Sequence, residues 1–400
     1  MKYKLQELEA TPFNKLETFL SDKSICPDYI EIDLSMGQPY HMIPQLVFDT
    51  LNAKKEQWTK YPPVNATMEY RNTVALWLER RYNLPQGFIE SGNILPVSGT
   101  REGLFTIVQA IDAYKDGQKP LKVAIPNPCF QTYQAAIVMC GGETIILDAH
   151  RDNNFFPELQ VFTSALCQQL TALYICTPSN PQGMFASYEY IESMIKLAQQ
   201  YDFTIIFDHC YSEIYTDSPP VGAIEVVHQR GLTFDNLIIM HSLSKRSNIA
   251  GMRSGFVMGD PKIMSLYSKI RSFSCAGMPL PIVEATIALL KDENHVEHNR
   301  MLYRKKFYAA RDIFYDYNKF IMPQGGIFLW LEVNDAERIC EALWRHEAIK
   351  VLPGNFMTLS SIGHVNHGKK YIRIAMVQDH NIMIDALKRI RTRILIEESN

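Results

Sequence analysis

The chain has 400 residues, of which 46% are hydrophobic and 21% are charged, and its formal net charge is −3. This length exceeds what one ordinary core accommodates and predicts two domains of unequal size. The charge balance lacks the basic excess that nucleic acid or an anionic membrane surface would select. The mixed charges of the first residues are unlike a signal peptide and no apolar run approaches a membrane span, so we expect a cytoplasmic protein.

Short apolar runs alternate with helical patterns through most of the chain. Such runs, without polar alternation, are typical of strands buried on both faces. The order of strands and helices predicts an α/β domain with a largely parallel sheet, in which ligands bind beyond the carboxyl ends of the strands. The predicted strands cover residues 121–125, 144–147, 172–176, 203–207, 236–240 and 256–258.

From Pro281 to about Asp316 the pattern changes to long charged helices, and the next apolar run is residues 325–331. This change predicts a second, α+β domain. We therefore expect an N-terminal arm and the first part of the smaller domain in residues 1–44, a large domain in residues 45–285, and the rest of the smaller domain in residues 286–400.

A lysine segment follows the apolar run 236–240. Ser242, Ser244 and Arg253 supply hydroxyls and a guanidinium suited to a phosphate, and Lys245 lies among them. A lysine attacks a carbonyl only when it is neutral, and burial beside another cation favours that state. The segment therefore suggests a Schiff base with the aldehyde of pyridoxal phosphate, although a lysine just past a strand is more often a solvated turn residue.

The run Ser242 to Phe256, SLSKRSNIAGMRSGF, resembles the lysine segment of the class I/II aminotransferases, which are pyridoxal-phosphate enzymes of fold type I. The amino-acid sequence of this segment most resembles that of the succinyldiaminopimelate aminotransferases of bacterial lysine biosynthesis. The likeness extends from about Gly37 to Arg373. It implies a large domain with a mostly parallel seven-stranded sheet between helices, a smaller α+β domain, pyridoxal 5′-phosphate as cofactor, and a homodimer.

Asp208 ends the predicted strand 203–207, where a buried carboxylate needs a cation or donors. A protonated pyridine nitrogen would be such a cation, and an ionised carboxylate would keep the cofactor ring an electron sink. The resemblance gives Asp208 this role. It also implies that Tyr211, and Asn180 in the loop TPSNPQG, hydrogen-bond the phenolic oxygen of the ring. The alternative for Asp208 is a cap on a turn.

The segment from Val97 to Leu104 contains a glycine turn that leads into a helical pattern. Backbone N–H groups at the start of a helix favour an anion, although a plain N-cap by Ser98 or Thr100 would give the same pattern. By resemblance this turn binds the cofactor phosphate, chiefly through backbone amides, together with Ser242, Ser244 and Arg253. The turn residues assigned to the phosphate are Gly99, Thr100 and Arg101.

Two further assignments follow from the resemblance. Phe130 is expected to stack on the pyridine ring, with Tyr133 as the neighbour that could take its place. Tyr61, in the segment KYPP, is expected to reach the phosphate of the neighbouring subunit, so that a dimer completes the active site.

Substrate binding requires a group that takes the carboxylate of the amino acid. Arg373 lies inside the strand-like run YIRIAM, where an arginine is costly unless it is paired. The resemblance makes it the carboxylate-binding arginine and brings the backbone of Gly37 to the same carboxylate. Arg246 could be a surface charge or could meet a distal substrate carboxylate.

These assignments predict an aminotransferase in which Lys245 holds the cofactor and moves a proton. The resemblance suggests N-succinyl-LL-2,6-diaminopimelate and 2-oxoglutarate as substrates. Another amino-acid aminotransferase, for aromatic or aspartate-like substrates, a carbon–sulfur β-lyase, and a non-catalytic regulator remain as alternatives. We predict no metal site, because two closely spaced histidine pairs, His295 with His298 and His364 with His367, lack the carboxylate or thiol company of such a site.

Overall fold

The computed structural model describes residues 8–117, 119–275, 277–359 and 365–399, so the first seven residues of the predicted arm lie outside it. A seven-stranded sheet forms the centre of the fold, in the order β2-β8-β7-β6-β5-β3-β4. Its strands are β2 (Ile94–Val97), β3 (Lys122–Asn127), β4 (Glu143–Asp148), β5 (Ala172–Cys176), β6 (Thr204–Asp208), β7 (Leu237–Ser242) and β8 (Gly255–Gly259).

The sheet is mostly parallel, as predicted. Strands β7, β6, β5, β3 and β4 run parallel to one another, while β8 is antiparallel to both β7 and β2. The six predicted apolar runs are confirmed as β3 to β8. Strand β2 is not among them; it contains Pro96, which the sheet tolerates because β2 lies at its edge.

Helices connect the strands along the chain and pack against the sheet. Those up to the end of β8 are α1 (Pro12–Leu20), α2 (Gln45–Ala53), α3 (Met68–Arg81), α4 (Thr100–Lys115), α5 (Thr132–Met139), α6 (Ser164–Gln169), α7 (Tyr188–Tyr201), α8 (Ala223–Arg230) and α9 (Leu243–Arg246). The later helices are α10 (Pro261–Ser274), α11 (Leu280–Lys291), α12 (Asn294–Ile313), α13 (Ala336–Glu347) and α14 (His380–Ser399). Helices α11 and α12 confirm the long helical stretch expected after Pro281.

A smaller antiparallel sheet has the order β11-β12-β9, with β9 (Phe328–Glu332), β11 (Leu352–Pro353) and β12 (Tyr371–Ala375). Strand β1 (Ile32–Asp33) pairs in parallel with β10 (Ile349–Lys350), so the early chain packs with the late chain. Strand β9 begins later than predicted because Gly326 has a φ of 83°. Gly325, just before it, forms an isolated bridge with Tyr215.

The register of the large sheet aligns the carboxyl ends of its parallel strands, where predicted site residues lie. Cys176 of β5 lies beside Asp208 of β6, which lies beside Met240 of β7, two residues before Ser242. The carboxyl ends of these parallel strands therefore meet, and the segments that follow them face one another. Within the described residues, no helix is long and apolar enough to cross a membrane.

Candidate active site

A cavity of about 580 Å³ lies beyond the carboxyl ends of β5, β6 and β7. Most residues that the sequence predicted for the site line it, although they come from segments that are far apart in the chain. The predicted residues along its wall are Gly37, Thr100, Arg101, Phe130, Asn180, Asp208, Tyr211, Ser242, Ser244, Lys245, Arg253 and Arg373.

Lys245 extends into this cavity from the short helix α9. The side chain of Ser242 accepts a hydrogen bond from the amide of Ser244 at 3.1 Å, and this cap starts the helix where β7 ends. The Lys245 ammonium donates to the carbonyl oxygen of Gly37. Burial, together with the charges of the nearby Arg373, Arg253 and Arg101, lowers the pKa of Lys245 to about 8. Lys245 is therefore much closer to its nucleophilic form than a solvated lysine.

Asp208 is buried at the end of β6, with 4% of its surface exposed. The Tyr133 hydroxyl donates to one carboxylate oxygen at 2.7 Å, and the amide of Cys210 donates to the other at 3.1 Å. Burial raises the pKa of Asp208, while these donors oppose the shift. A buried carboxylate at a cavity wall fits a cationic ring nitrogen, whose charge would favour the ionised form. Tyr133, expected only as an alternative stacking residue, orients this carboxylate.

A tight turn before α4 and Arg253 together form one end of the cavity. Gly99 has a φ of +78°, and a Cβ atom there would lie 2.0 Å from a guanidinium nitrogen of Arg253. Only glycine permits this close approach. The amide of Gly99 donates to the Val97 carbonyl, so Thr100 and Arg101 supply the amides that open the first turn of α4.

An ion pair that the sequence analysis missed, between Arg271 and Glu102, stabilises the same turn. Arg271 of α10, 1% exposed, lies 2.5 Å from Glu102, and the second oxygen of Glu102 accepts from the amide of Ser98 at 3.1 Å. No motif in the sequence marks Arg271, and its partner Glu102 lies 169 residues away in the chain. The pair fixes the orientation of the turn that faces the cavity.

Arg373 lies in β12 on the opposite side of the cavity. It is 4% exposed and donates to the Ser35 carbonyl at 2.7 Å and to the Asn180 side-chain oxygen at 3.4 Å. Its Nε has no hydrogen-bond partner, and no carboxylate among the described residues pairs with it. Burial lowers the pKa of Arg373 to about 10. A buried guanidinium with a free donor suits a carboxylate from outside the chain.

Phe130 and Arg101 form another part of the wall, with the guanidinium 5.5 Å from the centre of the ring. The expectation that Arg246 is a surface charge or meets a distal substrate carboxylate is wrong. Arg246 is 2% exposed, pairs with Glu293 at 2.9 Å, and points away from the cavity. Arg101 is the nearby arginine that does line the cavity.

Tyr61 does not reach this cavity within one chain; its side chain is fully exposed. Its expected role needs a second subunit and stays a prediction. The wall also contains residues that the sequence did not single out. Some of them, such as Gln38 and Cys210, adjoin predicted residues in the chain, whereas Phe13, Phe328 and Met357 reach the cavity only through folding.

The donor set fits pyridoxal phosphate. Hydroxyls of Ser242 and Ser244, the first turn of α4 and Arg253 lie at one end and suit a phosphate dianion. Asp208 offers a buried carboxylate for the ring nitrogen, and Lys245 offers an amine of lowered pKa for the aldehyde.

Comparison with known proteins agrees with this chemistry. The family model for aminotransferases of class I and II matches residues 29–390. An aminotransferase from Neisseria meningitidis superposes with a TM-score of 0.92 at 33% identity, covering 98% of this chain and 100% of that one. A transaminase from Streptomyces rimosus that acts on 4-dedimethylamino-4-oxo-anhydrotetracycline is 27% identical over 93% of this chain and 96% of its own. An LL-diaminopimelate aminotransferase from Gloeobacter violaceus is 25% identical over 92% of each chain.

The chain belongs to the class I and II aminotransferases. It is a pyridoxal-phosphate-dependent enzyme with the type I fold, as the sequence predicted. The family uses amino acids and 2-oxo acids as substrates and typically forms dimers.

Proposed function

We propose that this aminotransferase exchanges the amino group of N-succinyl-LL-2,6-diaminopimelate with 2-oxoglutarate, giving glutamate, in lysine biosynthesis. The observation that carries the proposal is the set of three arginines along the cavity, Arg101, Arg253 and Arg373. All three lower the pKa of Lys245, so their charges lie near the reacting end of that side chain.

Each arginine can be matched to one anionic group. Arg253, against the turn at Gly99, is assigned to the cofactor phosphate, and Arg373 is assigned to the α-carboxylate of the substrate. Arg101 then remains for a second carboxylate, and it has no acidic partner among the residues described. Both proposed substrates carry such a carboxylate, as would an aspartate-like substrate. An aromatic amino acid does not.

The catalytic roles follow from the same geometry. Bound pyridoxal phosphate would supply an electron sink for the charge that develops when the substrate loses its α-proton. Lys245 would hold the cofactor and, once an amino acid has taken its place, would accept that proton and later return it. Asp208 would keep the ring nitrogen protonated, and we assign Tyr211 and Asn180 to the phenolic oxygen. The curated relative from Gloeobacter violaceus, named for LL-diaminopimelate, supports a diaminopimelate-like donor.

We also propose that the enzyme is a cytoplasmic homodimer whose active sites lie at the subunit interface. Tyr61 is fully exposed, as expected for a side chain that a partner covers, and Trp58 and Met68 on either side of it are more than half exposed. Exposed apolar groups of this kind mark interaction surfaces. Tyr61 would then reach the phosphate bound by the neighbouring subunit.

A substrate panel tests the proposed specificity. The purified enzyme is assayed with 2-oxoglutarate and N-succinyl-LL-2,6-diaminopimelate, aspartate or phenylalanine as the donor, and we expect the succinylated donor to have the highest kcat/KM. In the Arg101→Gln variant, KM for 2-oxoglutarate should rise about tenfold or more, while KM for pyruvate, which has one carboxylate, should change little.

Arg311→Gln is the matched control, because Arg311 is exposed on α12, away from the cavity. An equal loss for 2-oxoglutarate and pyruvate would remove Arg101 from distal recognition. Preference for phenylalanine as the donor would replace the proposed substrate by an aromatic one.

A further inference from the structure

A chain of hydrogen bonds runs from a buried lysine of α12 to the main chain of Lys245. The Lys306 ammonium lies 2.8 Å from Nε2 of His41. Nδ1 of His41 lies 2.7 Å from the side-chain oxygen of Asn299. The amide nitrogen of Asn299 then lies 2.9 Å from the carbonyl oxygen of Lys245 and 3.2 Å from that of Arg246.

The direction of every bond follows from its end point. A backbone carbonyl can only accept, so the Asn299 –NH₂ group must face Lys245 and Arg246. The amide oxygen then faces His41, which must carry its proton on Nδ1. The remaining lone pair on Nε2 accepts from Lys306. The network therefore requires a neutral imidazole in a single tautomer.

The surroundings keep these groups in place. Asn299 and Lys306 are each 1% exposed. The imidazole of His41 lies 4.6 Å from the ring centre of Tyr303, and the ammonium of Lys306 lies 4.7 Å from the same ring. Lys306 also donates to the Gln378 carbonyl at 3.0 Å. A buried amide and a partly buried imidazole with all these hydrogen bonds made have few alternative orientations.

The network also joins the two contacts that Lys245 makes with one early segment. Gly37 accepts from the Lys245 ammonium, and His41, four residues later, holds the Lys245 carbonyl through Asn299. The side-chain ammonium and the main-chain carbonyl of Lys245 are therefore both hydrogen-bonded to the segment 37–41, the first directly and the second through Asn299. A shift of that segment would move the amine and its backbone together.

We propose that His41, Asn299 and Lys306 are positioning residues that fix the backbone of Lys245 and thereby direct its amine toward the cofactor and the substrate α-carbon. The proposal rests on the assignment of Lys245 as the reacting lysine. None of the three residues lines the cavity, so they act through Lys245 and not by contact with substrate.

Asn299→Asp is the sharpest variant, because aspartate keeps the shape of asparagine but cannot donate to the two carbonyls. We expect kcat to fall by about 10²-fold, the size of effect that a displacement near 1 Å produces, with KM for the amino donor changed less than about threefold. Capture of pyridoxal phosphate by the cofactor-free protein, followed by absorbance, should slow by a similar factor. This second readout does not depend on turnover.

His41 offers a graded pair of variants. His41→Asn can still donate to Asn299 from a position near that of Nδ1, whereas His41→Leu cannot. We expect His41→Asn to recover much of the kcat and of the capture rate that His41→Leu loses. His298→Leu is the matched control, because His298 is exposed on the same helix next to Asn299, and it should behave as wild type. Nitrogen chemical shifts of the His41 ring should show a proton on Nδ1.

Wild-type kcat and capture rate in Asn299→Asp and His41→Leu, or equal losses in both His41 variants, would overturn the proposal. If Asn299→Asp does not fold, the His41 pair decides alone. Lys245→Ala separates this failure from that of the proposed function: retained covalent capture in Lys245→Ala would reject the reacting lysine itself, whereas lost capture there with normal His41 variants would reject only the positioning network.

Discussion

Two sets of buried cations in this enzyme have opposite environments. Away from the cavity, buried or partly buried arginines have acidic partners: Arg81 lies 2.6 Å from Glu213, and Arg271 lies 2.5 Å from Glu102. Along the cavity, Arg373 is buried and Lys245 is partly buried, but neither has a carboxylate partner among the described residues. The charges of the first set are neutralised within the fold, and the second set has no such partner, which is why we assign it to anions and carbonyls from outside the chain.

This difference separates stability from function. Removing one partner of a buried ion pair leaves an uncompensated charge and destabilises a protein strongly. Removing an unpaired buried cation relieves a desolvation penalty instead. The pKa values of Lys245 and Arg373 are both lowered, mainly by burial, which is the sign of cations that the fold itself does not stabilise. Variants at the two sets should therefore fail in different ways.

The largest effect is expected for Lys245→Ala. Without the amine there is no covalent linkage to the cofactor and no group to move the proton, so transamination should fall by roughly 10⁴-fold or more. The absorbance of the bound cofactor should change to that of free aldehyde. Thermal unfolding should be unchanged or slightly raised, since a costly buried amine has been removed. Lys305→Ala, an exposed lysine on α12, is the control.

Arg373→Met should give the next largest loss. Truncating one side of a buried charged contact costs about 2–5 kcal/mol, so kcat/KM for amino acids should fall by roughly 10²-fold or more. The free energy of unfolding, measured without substrate, should not fall. A protein destabilised by several kcal/mol with normal kcat/KM would place Arg373 in the structural set.

Glu213→Gln is expected to do the reverse. Glu213 is 5% exposed and pairs with Arg81 at 2.6 Å and with Arg300 at 3.7 Å. Loss of its charge should lower the free energy of unfolding by about 3–5 kcal/mol, measured by denaturant titration, with kcat nearly unchanged. Glu297→Gln is a matched control: Glu297 also pairs with Arg300 but is half exposed, and its loss should cost at most about 1 kcal/mol.

Arg253→Ala should act on the cofactor. Arg253 contacts the turn at Gly99 and is assigned to the phosphate, so its loss should weaken retention of pyridoxal phosphate by about tenfold, or 1.4 kcal/mol, with little change in the order of substrate preference. Equilibrium dialysis measures the affinity. Unchanged cofactor affinity would remove Arg253 from the phosphate site.

The sequence predicted the buried strands and the polar residues at their ends well, because both features are local. Asp208 and Lys245 each follow a continuous apolar run, and such runs predict buried strands whose ends meet in a parallel sheet. The type I fold and the cofactor came from the lysine segment and its resemblance. The edge strand at Pro96 was missed because proline argues against a strand everywhere except at an edge.

Contacts between distant segments could not be predicted in the same way. Nothing around Asn299 or His41 in sequence indicates that they touch the Lys245 segment, since 258 residues separate them from each other. Arg246, next to the lysine, was a reasonable candidate for substrate binding, yet the short helix α9 turns it toward Glu293 instead. One residue along a helix changes the direction of a side chain by about 100°, so adjacency in sequence does not give a shared face.

The smallest expected effect is on the pH dependence of cofactor capture, which involves both Lys245 and Arg373. Capture of pyridoxal phosphate requires the neutral amine of Lys245, so the rate for the cofactor-free protein should rise with pH and level off above the pKa of about 8. Arg373 lowers that pKa, so Arg373→Met should move the midpoint to higher pH. The shift should be modest, because burial is the main cause and remains in the variant. Stopped-flow absorbance across the pH range measures both midpoints. A midpoint near the ordinary lysine value in the wild-type protein would mean that Lys245 is solvated and that the cavity does not activate it.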